Sequence, residues 1–207
     1  MNIRIKKMNE HQFALKRQLN SKPQSNSIPK KLDFITPTVM NVLEFFLTDP
    51  MKEYYGREVS RKTGVSLGSA NKILRSLTEL EFLTQERKGK LVIYRLNLKE
   101  PTVKQFKILI NVFSLKTLVS ELKFDSKRVM LFGSCSQGTD TKESDVDLLI
   151  ITNEKEQVRK IINVFSRKQQ RQLAPIIVDM NEFIKLKKED KPLYENIERG
   201  VALWEAE

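Results

Sequence analysis

Short amphipathic segments separated by polar turns make up the front of the chain. Thr36-Pro37 predicts the start of a first helix, because a hydroxyl side chain caps a helix and proline suits its first position. Asp49-Pro50 predicts its end. The apolar side chains of this segment fall on one helical face: Val39, Val42, Leu43, Phe46 and Leu47. We therefore expect that face to be buried.

Two further helices and a hairpin are predicted to follow. The second helix spans residues 56–62, and a tight turn at 63–66 separates it from a third helix that Ser66 caps. The buried stripe of the third helix comprises Ala70, Ile73, Leu74, Leu77 and Leu80. Its outward face comprises Ser69, Asn71, Lys72, Arg75 and Ser76. The hairpin spans residues 84–96 and carries Arg87, Lys88, Gly89 and Lys90 at its tip.

A long apolar-rich segment joins the front and the rear of the chain. Residues 106–122 suit one helix or a pair of helices, which begins near Pro101. We expect Leu109, Phe113 and their apolar neighbours to be core. The alternative is a homodimer through this segment, since DNA-binding proteins with a recognition helix commonly read two half-sites as dimers.

The rear of the chain alternates apolar strands with helices. Strands are predicted at 127–132, 146–152 and 174–180, with an amphipathic helix at 156–172 before the third strand. We expect the cations on the outer face of this helix to be solvated: Arg159, Lys160, Arg167, Lys168 and Arg171. A closing helix begins near Pro192 and ends at Gly200, after which residues 201–204 pack back onto the sheet.

Composition narrows the class of protein. A chain of 207 residues suffices for one or two small domains. With Cys135 as the single cysteine no internal disulfide can form, so we expect a reducing, cytoplasmic environment. We expect the Cys135 thiol itself to be inert. No apolar run approaches the roughly 20 residues of a membrane span, so no membrane partner is expected. Residues 1–18 lack the apolar core of a secretory signal.

The positive charge is concentrated in the first half. The formal net charge is +11, and residues 1–100 hold 19 Lys and Arg against 10 Asp and Glu, whereas residues 101–207 hold 18 against 16. We therefore expect the first half to contact a polyanion such as double-stranded DNA. Residues 19–31 are polar and contain two prolines, which favours a flexible basic tail over residues 1–32.

A Gly-Ser turn and a pair of aspartates carry the candidate chemistry. Asp145 and Asp147 stand one residue apart at the start of a strand, so their carboxylates are expected to point the same way while Val146 and Leu148 point into a core. Two adjacent like charges are unfavourable without a cation, and carboxylate oxygens suit Mg²⁺ or Mn²⁺.

The preceding turn offers a phosphate site. Gly133 lets a phosphate approach the backbone closely, and Ser134 supplies a hydroxyl and an N–H group where a helical turn begins. Gly138 would keep the turn open. We therefore predict that Gly133, Ser134 and Gly138 bind the phosphates of a nucleoside triphosphate.

The order Gly133-Ser134, Gly138 and Ser144-Asp145-Val146-Asp147-Leu148 resembles the signature of the minimal nucleotidyltransferases of the DNA polymerase β superfamily. The resemblance covers roughly residues 104–205. It implies metal-dependent transfer of a nucleoside monophosphate, AMP from ATP, to a hydroxyl group, with Asp145 and Asp147 as catalytic metal ligands. It also implies a third carboxylate from a later strand, which Asp179 matches as a general base or metal ligand. One departure is Gln137, where many members carry arginine.

The front of the chain, over roughly residues 34–98, resembles a winged helix-turn-helix domain of the kind found in arsenic-repressor and multiple-antibiotic-resistance regulators. The resemblance implies that the third helix enters the major groove of DNA. Ser69, Asn71, Lys72 and Arg75 would then contact bases or phosphates, and Arg87, Lys88 and Lys90 would contact the phosphate backbone. The alternative is a winged helix that docks on protein.

Together these patterns predict an α+β protein in three parts: a tail at 1–32, a winged helix-turn-helix domain at 33–100 and a nucleotidyltransferase domain at 101–207. Minimal nucleotidyltransferases often act as antitoxins that modify a partner toxin, whereas other relatives modify small molecules or RNA ends. The resemblance therefore also implies an antitoxin-like regulator with a toxin protein as partner. The alternative function is a DNA-binding regulator whose nucleotidyltransferase fold only senses nucleotide.

Overall fold

The structure is a computed structural model that describes residues 32–167 and 171–206. From Pro37 to Glu207 the chain forms one compact unit, and the described residues 32–36 belong to a separate unit. In that short stretch the Ile35 N–H donates to the Leu32 carbonyl at 2.9 Å, which forms a turn. The predicted tail at 1–32 lies almost wholly outside the described residues.

Three helices and a small antiparallel sheet form the front of the compact unit. The sheet has the order β1-β3-β2, with both neighbours of β3 antiparallel to it. In chain order the elements are α1 (Pro37–Thr48), β1 (Tyr54–Tyr55), α2 (Gly56–Thr63), α3 (Leu67–Glu79), β2 (Leu83–Lys88) and β3 (Leu91–Leu96).

The predicted caps and stripes account for these helices. Gly64 ends α2 with φ 71°, a left-handed conformation that glycine adopts without steric cost. The Ser66 side chain accepts a hydrogen bond from the Ser69 N–H and so caps α3. The apolar faces meet in a core whose members have no exposed area: Val42, Leu43, Phe46, Val59, Leu74 and Leu77.

A single helix, α4 (Pro101–Leu122), joins front and rear, so the prediction of one helix or two is resolved as one. The expectation that Leu109 and Phe113 are core is wrong, because they are 46% and 65% exposed. The buried face of this helix is offset from the apolar residues that the periodicity indicated. It comprises Val103, Lys107, Asn111, Leu115, Leu118 and Leu122.

The rear of the unit is a four-stranded sheet with the order β6-β5-β4-β7. Strand β5 is parallel to β6 and antiparallel to β4, and β4 is antiparallel to β7. The elements are β4 (Arg128–Phe132), α5 (Gly133–Gln137), β5 (Val146–Ile151), α6 (Lys155–Ser166), β6 (Leu173–Val178), α7 (Met180–Glu189), α8 (Lys191–Glu198) and β7 (Val201–Glu205).

Helices cover both faces of this sheet. On one face Val146, Leu148 and Ile150 of β5 join a core with α4 and α6. On the other face Leu149 and Ile151 pack with side chains of α7 and α8. The alternation of side chains along β5 therefore sends Asp147 to the α7 and α8 side, away from α4. A mixed α+β fold, as predicted, is confirmed.

Two details differ from the sequence prediction. Helix α6 ends at Ser166 rather than at 172, and residues 168–170, which include Lys168 of the predicted outer face, lie outside the described residues. Residues 201–205 do more than pack on the sheet, because they form its fourth strand. No helix among the described residues is both long and apolar enough to cross a membrane.

Candidate active site

The Gly-Ser turn and the acidic pair meet where β4 and β5 lie side by side. Phe132, the last residue of β4, is opposite Asp147 in the antiparallel register, and Gly133 follows it. Gly133 has φ 66°, and a Cβ atom built on it would stand 2.1 Å from Oδ2 of Asp147. The Asp147 carboxylate therefore occupies the space that any side chain at position 133 would need.

The two carboxylates are electrostatically coupled. Burial raises the pKa of Asp147 above its usual range, and the negative charge of Asp145 raises that pKa further. Asp145 itself is exposed, just before the first residue of β5. A half-buried carboxylate next to a second one is an arrangement that a bound cation would stabilise.

Asp179 is not brought to this pair. In the parallel register of β5 and β6, Ala174 lies opposite Asp147, and Asp179 follows Val178 at the far end of the strand. Five residues at about 3.3 Å each separate the two levels by roughly 16 Å. Within residues 32–167 and 171–206, no cluster of three or more His, Cys, Asp or Glu side chains could hold a metal ion. The expected third carboxylate is therefore absent from the acidic pair's end of the sheet in the described part of the chain.

Asp179 has a clear structural role instead. Its side chain accepts a hydrogen bond from the Glu182 N–H at 2.9 Å, and the Glu182 carboxylate accepts one from the Asp179 N–H at 2.8 Å. This reciprocal pair is a capping box at the start of α7. The backbone hydrogen bond from Glu182 lowers the pKa of Asp179, and Lys155, with its Nζ 3.5 Å from Oδ2, lowers it further.

Ser134 and Gly138 lie on α5 and at its end. Ser134 is half-buried beside Gly133, and its carbonyl accepts hydrogen bonds from the N–H groups of Gly138 and Thr139. Gly138 has φ 66°, and a Cβ atom there would lie 2.4 Å from the carbonyl oxygen of Lys104. Gly138 thus lets the turn pack closely against α4, and does not only keep it open as predicted.

Cys135, next to the turn, is fully buried. Burial raises the pKa of its thiol, and this outweighs the opposing effect of the Arg171 guanidinium. The thiol is therefore protonated at neutral pH, which agrees with the expectation of an inert cysteine.

The sequence pattern missed a set of polar residues behind the turn. Lys107 and Asn111 of α4, Asp140 and Arg171 are joined by hydrogen bonds and ion pairs, and they line a cavity of about 500 Å³. Arg171 was expected on the solvated face of a helix that continued to 172. Because α6 ends at Ser166, Arg171 lies in the turn before β6 and points inward.

Residues 115–202 match the family model of the nucleotidyltransferase domain. This region of the chain is similar to nucleotidyltransferase domains. The prediction that this protein is an enzyme of the nucleotidyltransferase class is thereby confirmed. The matched residues include Gly133, Asp145, Asp147 and Arg171, so the turn, the acidic pair and part of the polar network all lie within the matched region.

Two solved structures have a general likeness to the chain. A candidate nucleotidyltransferase from Sulfolobus solfataricus is 16% identical, and the match covers 52% of this chain and 92% of that protein with a TM-score of 0.35. TrmBL2, an archaeal chromatin protein that binds DNA, is 15% identical over 82% of this chain and 72% of its own, with a TM-score of 0.29. No curated protein matches the sequence.

N-terminal to the matched region, the side chains predicted to contact DNA are mostly exposed. Lys72 and Arg75 are exposed on α3, and Ser69 is exposed at its first turn. Asn71 was expected to face outward, but it is only half-exposed, with its Oδ1 atom against Gly56 at the start of α2. Its amide group packs between the two helices. Ser69, Lys72 and Arg75 therefore remain exposed along one side of α3.

The hairpin tip is exposed, but part of its charge is already neutralised. Lys88 pairs with Glu53 at 3.2 Å, whereas the Arg87 Nε group donates to the Gly89 carbonyl. Lys90 is exposed as well. Eight of the 19 Lys and Arg residues in the first 100 positions lie in residues 1–31, together with one Glu. Most of the positive excess of the first half therefore falls outside the described residues.

Proposed function

We propose that this protein is a Mg²⁺- or Mn²⁺-dependent nucleotidyltransferase that transfers AMP from ATP to a hydroxyl group of a macromolecule or small molecule, and that its front part is a winged helix-turn-helix domain that binds double-stranded DNA. The observation that carries the enzymatic part is the contact between the Asp147 carboxylate and Gly133. It sets an acidic pair directly beside a turn whose glycine has no side chain to displace the carboxylate.

The residues present fit a divalent cation. Asp145 and Asp147 supply hard oxygen ligands. Burial and, after it, the negative charge of Asp145 raise the pKa of Asp147, and a bound cation would offset both effects. In nucleotidyl transfer such a cation neutralises phosphate charge and acts as a Lewis acid at the α-phosphate. Gly133 and Ser134 would hold the β- and γ-phosphates against the start of α5, and Gly138 would fix that turn on α4.

The order of elements supports the winged-helix part of the proposal. Three helices precede a hairpin, and β1, between the first two helices, pairs with β3 of that hairpin. In such a domain the third helix lies in the major groove and the hairpin contacts backbone phosphates. Ser69, Lys72 and Arg75 on α3, with Arg87, Lys88 and Lys90 at the hairpin tip, would make these contacts.

The proposal extends to partners. A homodimer is supported by the exposed apolar side chains of α4, where Leu109 and Phe113 are 46% and 65% exposed. A second copy packed against this face would give the dimer two recognition helices, one for each of two DNA half-sites. A toxin protein remains a proposed acceptor on the strength of the sequence resemblance alone.

A second candidate function is a DNA-binding regulator whose nucleotidyltransferase domain only senses nucleotide. Two observations favour it: Ala174, which is not a carboxylate, lies opposite Asp147, and Gln137 stands where many members of the family carry arginine. Nucleotide would then bind without transfer.

One experiment separates the two functions. The full chain is incubated with Mg²⁺ and ATP labelled at the α-phosphate. An extract of the cells that naturally produce the protein is added as a source of acceptors. An enzyme incorporates label into protein, RNA, a small molecule or itself, and Asp147→Asn abolishes this incorporation. A sensor incorporates no label, but its binding to DNA fragments changes when ATP is added.

A further inference from the structure

The guanidinium group of Arg171 grips the chain immediately before the acidic pair. It donates to the Ser144 carbonyl from Nε at 3.1 Å and from Nη2 at 2.9 Å. Ser144 directly precedes Asp145. A two-point hydrogen bond fixes a carbonyl in direction as well as in distance, and the planar fork of arginine is suited to make it.

The two residues after Ser144 are held as well. The Cys135 thiol donates to the Asp145 carbonyl at 3.4 Å, and Arg171 Nη2 donates to the Cys135 Sγ atom at 3.1 Å. The Val146 N–H donates to the Gln172 carbonyl at 2.9 Å. The backbone from which Asp145 projects is thus fixed at three consecutive residues, and residues 171–172 take part in three of the four hydrogen bonds.

The guanidinium group is itself locked from behind. Its Nη1 donates to Oδ2 of Asp140 at 3.2 Å and to Oδ1 of Asn111 at 3.3 Å. Asp140 is 6% exposed, and it also pairs with the buried Lys107 of α4. Buried ion pairs often stabilise a fold less than apolar side chains of the same volume would. We therefore attribute this network to the side-chain geometry that it fixes rather than to stability.

Arg171 cannot act on the substrate directly. It lines the cavity together with Val146 and Leu173, on the α4 and α6 side of the sheet. Asp147, by the alternation along β5, points to the opposite side. Any effect of Arg171 on the reaction therefore passes through the backbone at Ser144 and, by way of the Cys135 thiol, at Asp145.

We propose that Arg171 is a positioning residue for nucleotidyl transfer: by clamping the Ser144 carbonyl it holds Asp145 in register with Asp147. This inference rests on the proposed function of the acidic pair. It assigns a role to a side chain that lies 24 residues after Asp147 in the sequence.

The test compares Arg171→Ala with Arg128→Ala. Arg128 is a matched control, since its side chain is 24% exposed against 26% for Arg171, and it pairs with Glu198 and Glu205 away from the acidic pair. We expect Arg171→Ala to lower kcat at least about tenfold at saturating Mg²⁺ and ATP, with KM for ATP changed less than about threefold. Arg128→Ala should keep kcat within about twofold of the wild type. Equal kcat values for the two variants would overturn the proposal.

Two additions keep the proposal testable in every case. If Arg171→Ala does not fold, Arg171→Lys replaces it; lysine keeps a cation beside Asp140 but cannot make the two-point bond, so kcat should still fall. If the wild type transfers no nucleotide, the proposed function fails. Amide hydrogen exchange then tests separately whether Arg171 holds the backbone at Ser144. Amides of residues 140–146 should exchange faster in the Arg171 variant than in Arg128→Ala, and unchanged exchange would refute the clamp.

Discussion

The Asp147 carboxylate and the backbone of Gly133 occupy one small space: a Cβ atom at position 133 would stand 2.1 Å from Asp147 Oδ2. This contact ties the Gly-Ser turn to the acidic pair, because the turn can pass the carboxylate only if residue 133 has no side chain. The left-handed backbone of Gly133 adds a second reason for glycine at this position.

Gly133→Ala should therefore damage the site twice, by backbone strain and by displacing Asp147. We expect a fall of at least about tenfold in nucleotide transfer and a loss of about 1–3 kcal/mol in stability. Gly89→Ala is the matched control, since Gly89 has φ 63° with open space around a built Cβ atom. That variant should lose some stability and keep full transfer activity. Equal activity in the two variants would show that the contact with Asp147 does not matter.

Asp147→Asn should make the protein more stable while it removes activity. Burial and Asp145 raise the pKa of Asp147 in the folded state, so its ionised form opposes folding at neutral pH. The variant should therefore melt at a higher temperature than the wild type at pH 7. The difference should shrink as pH falls through the raised pKa, and it should vanish at about pH 3, where the carboxyl is protonated in both states. Melting curves without metal at several pH values check this, and a lower melting temperature at pH 7 would contradict it.

Asp179→Ala should show the opposite pH dependence. Hydrogen bonds at the start of α7 lower the pKa of Asp179, so its ionised form stabilises the fold above its ordinary pKa near 4. The variant should melt at a lower temperature at pH 7, and the deficit should be lost as pH falls through the lowered pKa. Asp179→Asn, which keeps a good capping residue, should lose less stability. Both variants should retain nucleotide transfer. Loss of transfer in Asp179→Asn with unchanged stability would support the prediction that Asp179 is a general base or metal ligand.

DNA binding should depend on residues 1–31 as well as on the hairpin tip. Those residues hold eight Lys and Arg against one Glu, so their deletion should weaken binding and reduce its salt dependence. Lys90→Ala should weaken binding more than Lys88→Ala, because Lys88 is already paired with Glu53. Fluorescence anisotropy with a DNA duplex over a series of salt concentrations measures both effects. Binding that is independent of salt would favour the protein-docking alternative.

Local periodicity predicted the elements well, and the nature of the signals explains why. The cap at Ser66, the glycine at 64 and the apolar stripe of α3 all act within a few residues, so the sequence contains them directly. The acidic pair was found for the same reason: Asp145 and Asp147 lie one residue apart, beside the turn at Gly133.

Features that depend on contacts between distant parts of the chain could not be predicted from local periodicity. Asp179 looked like a third carboxylate, but the parallel register of β5 and β6 decides which residue lies opposite Asp147, and that residue is Ala174. Arg171 looked solvated because the amphipathic pattern continued past Ser166, where α6 ends. Leu109 and Phe113 were predicted to be core because they are apolar. The helix instead buries the face that carries the polar residues Lys107 and Asn111, which apolar periodicity does not indicate.

The most direct test of the acidic site is equilibrium binding of labelled ATP with and without Mg²⁺, measured on the wild type, Asp147→Asn and Asp179→Asn. Asp145 and Asp147 beside Gly133 predict that the wild type and Asp179→Asn bind ATP only with Mg²⁺, and that Asp147→Asn binds at least about tenfold more weakly. Equal affinity of Asp147→Asn and the wild type in Mg²⁺ would contradict a metal and nucleotide site at this pair.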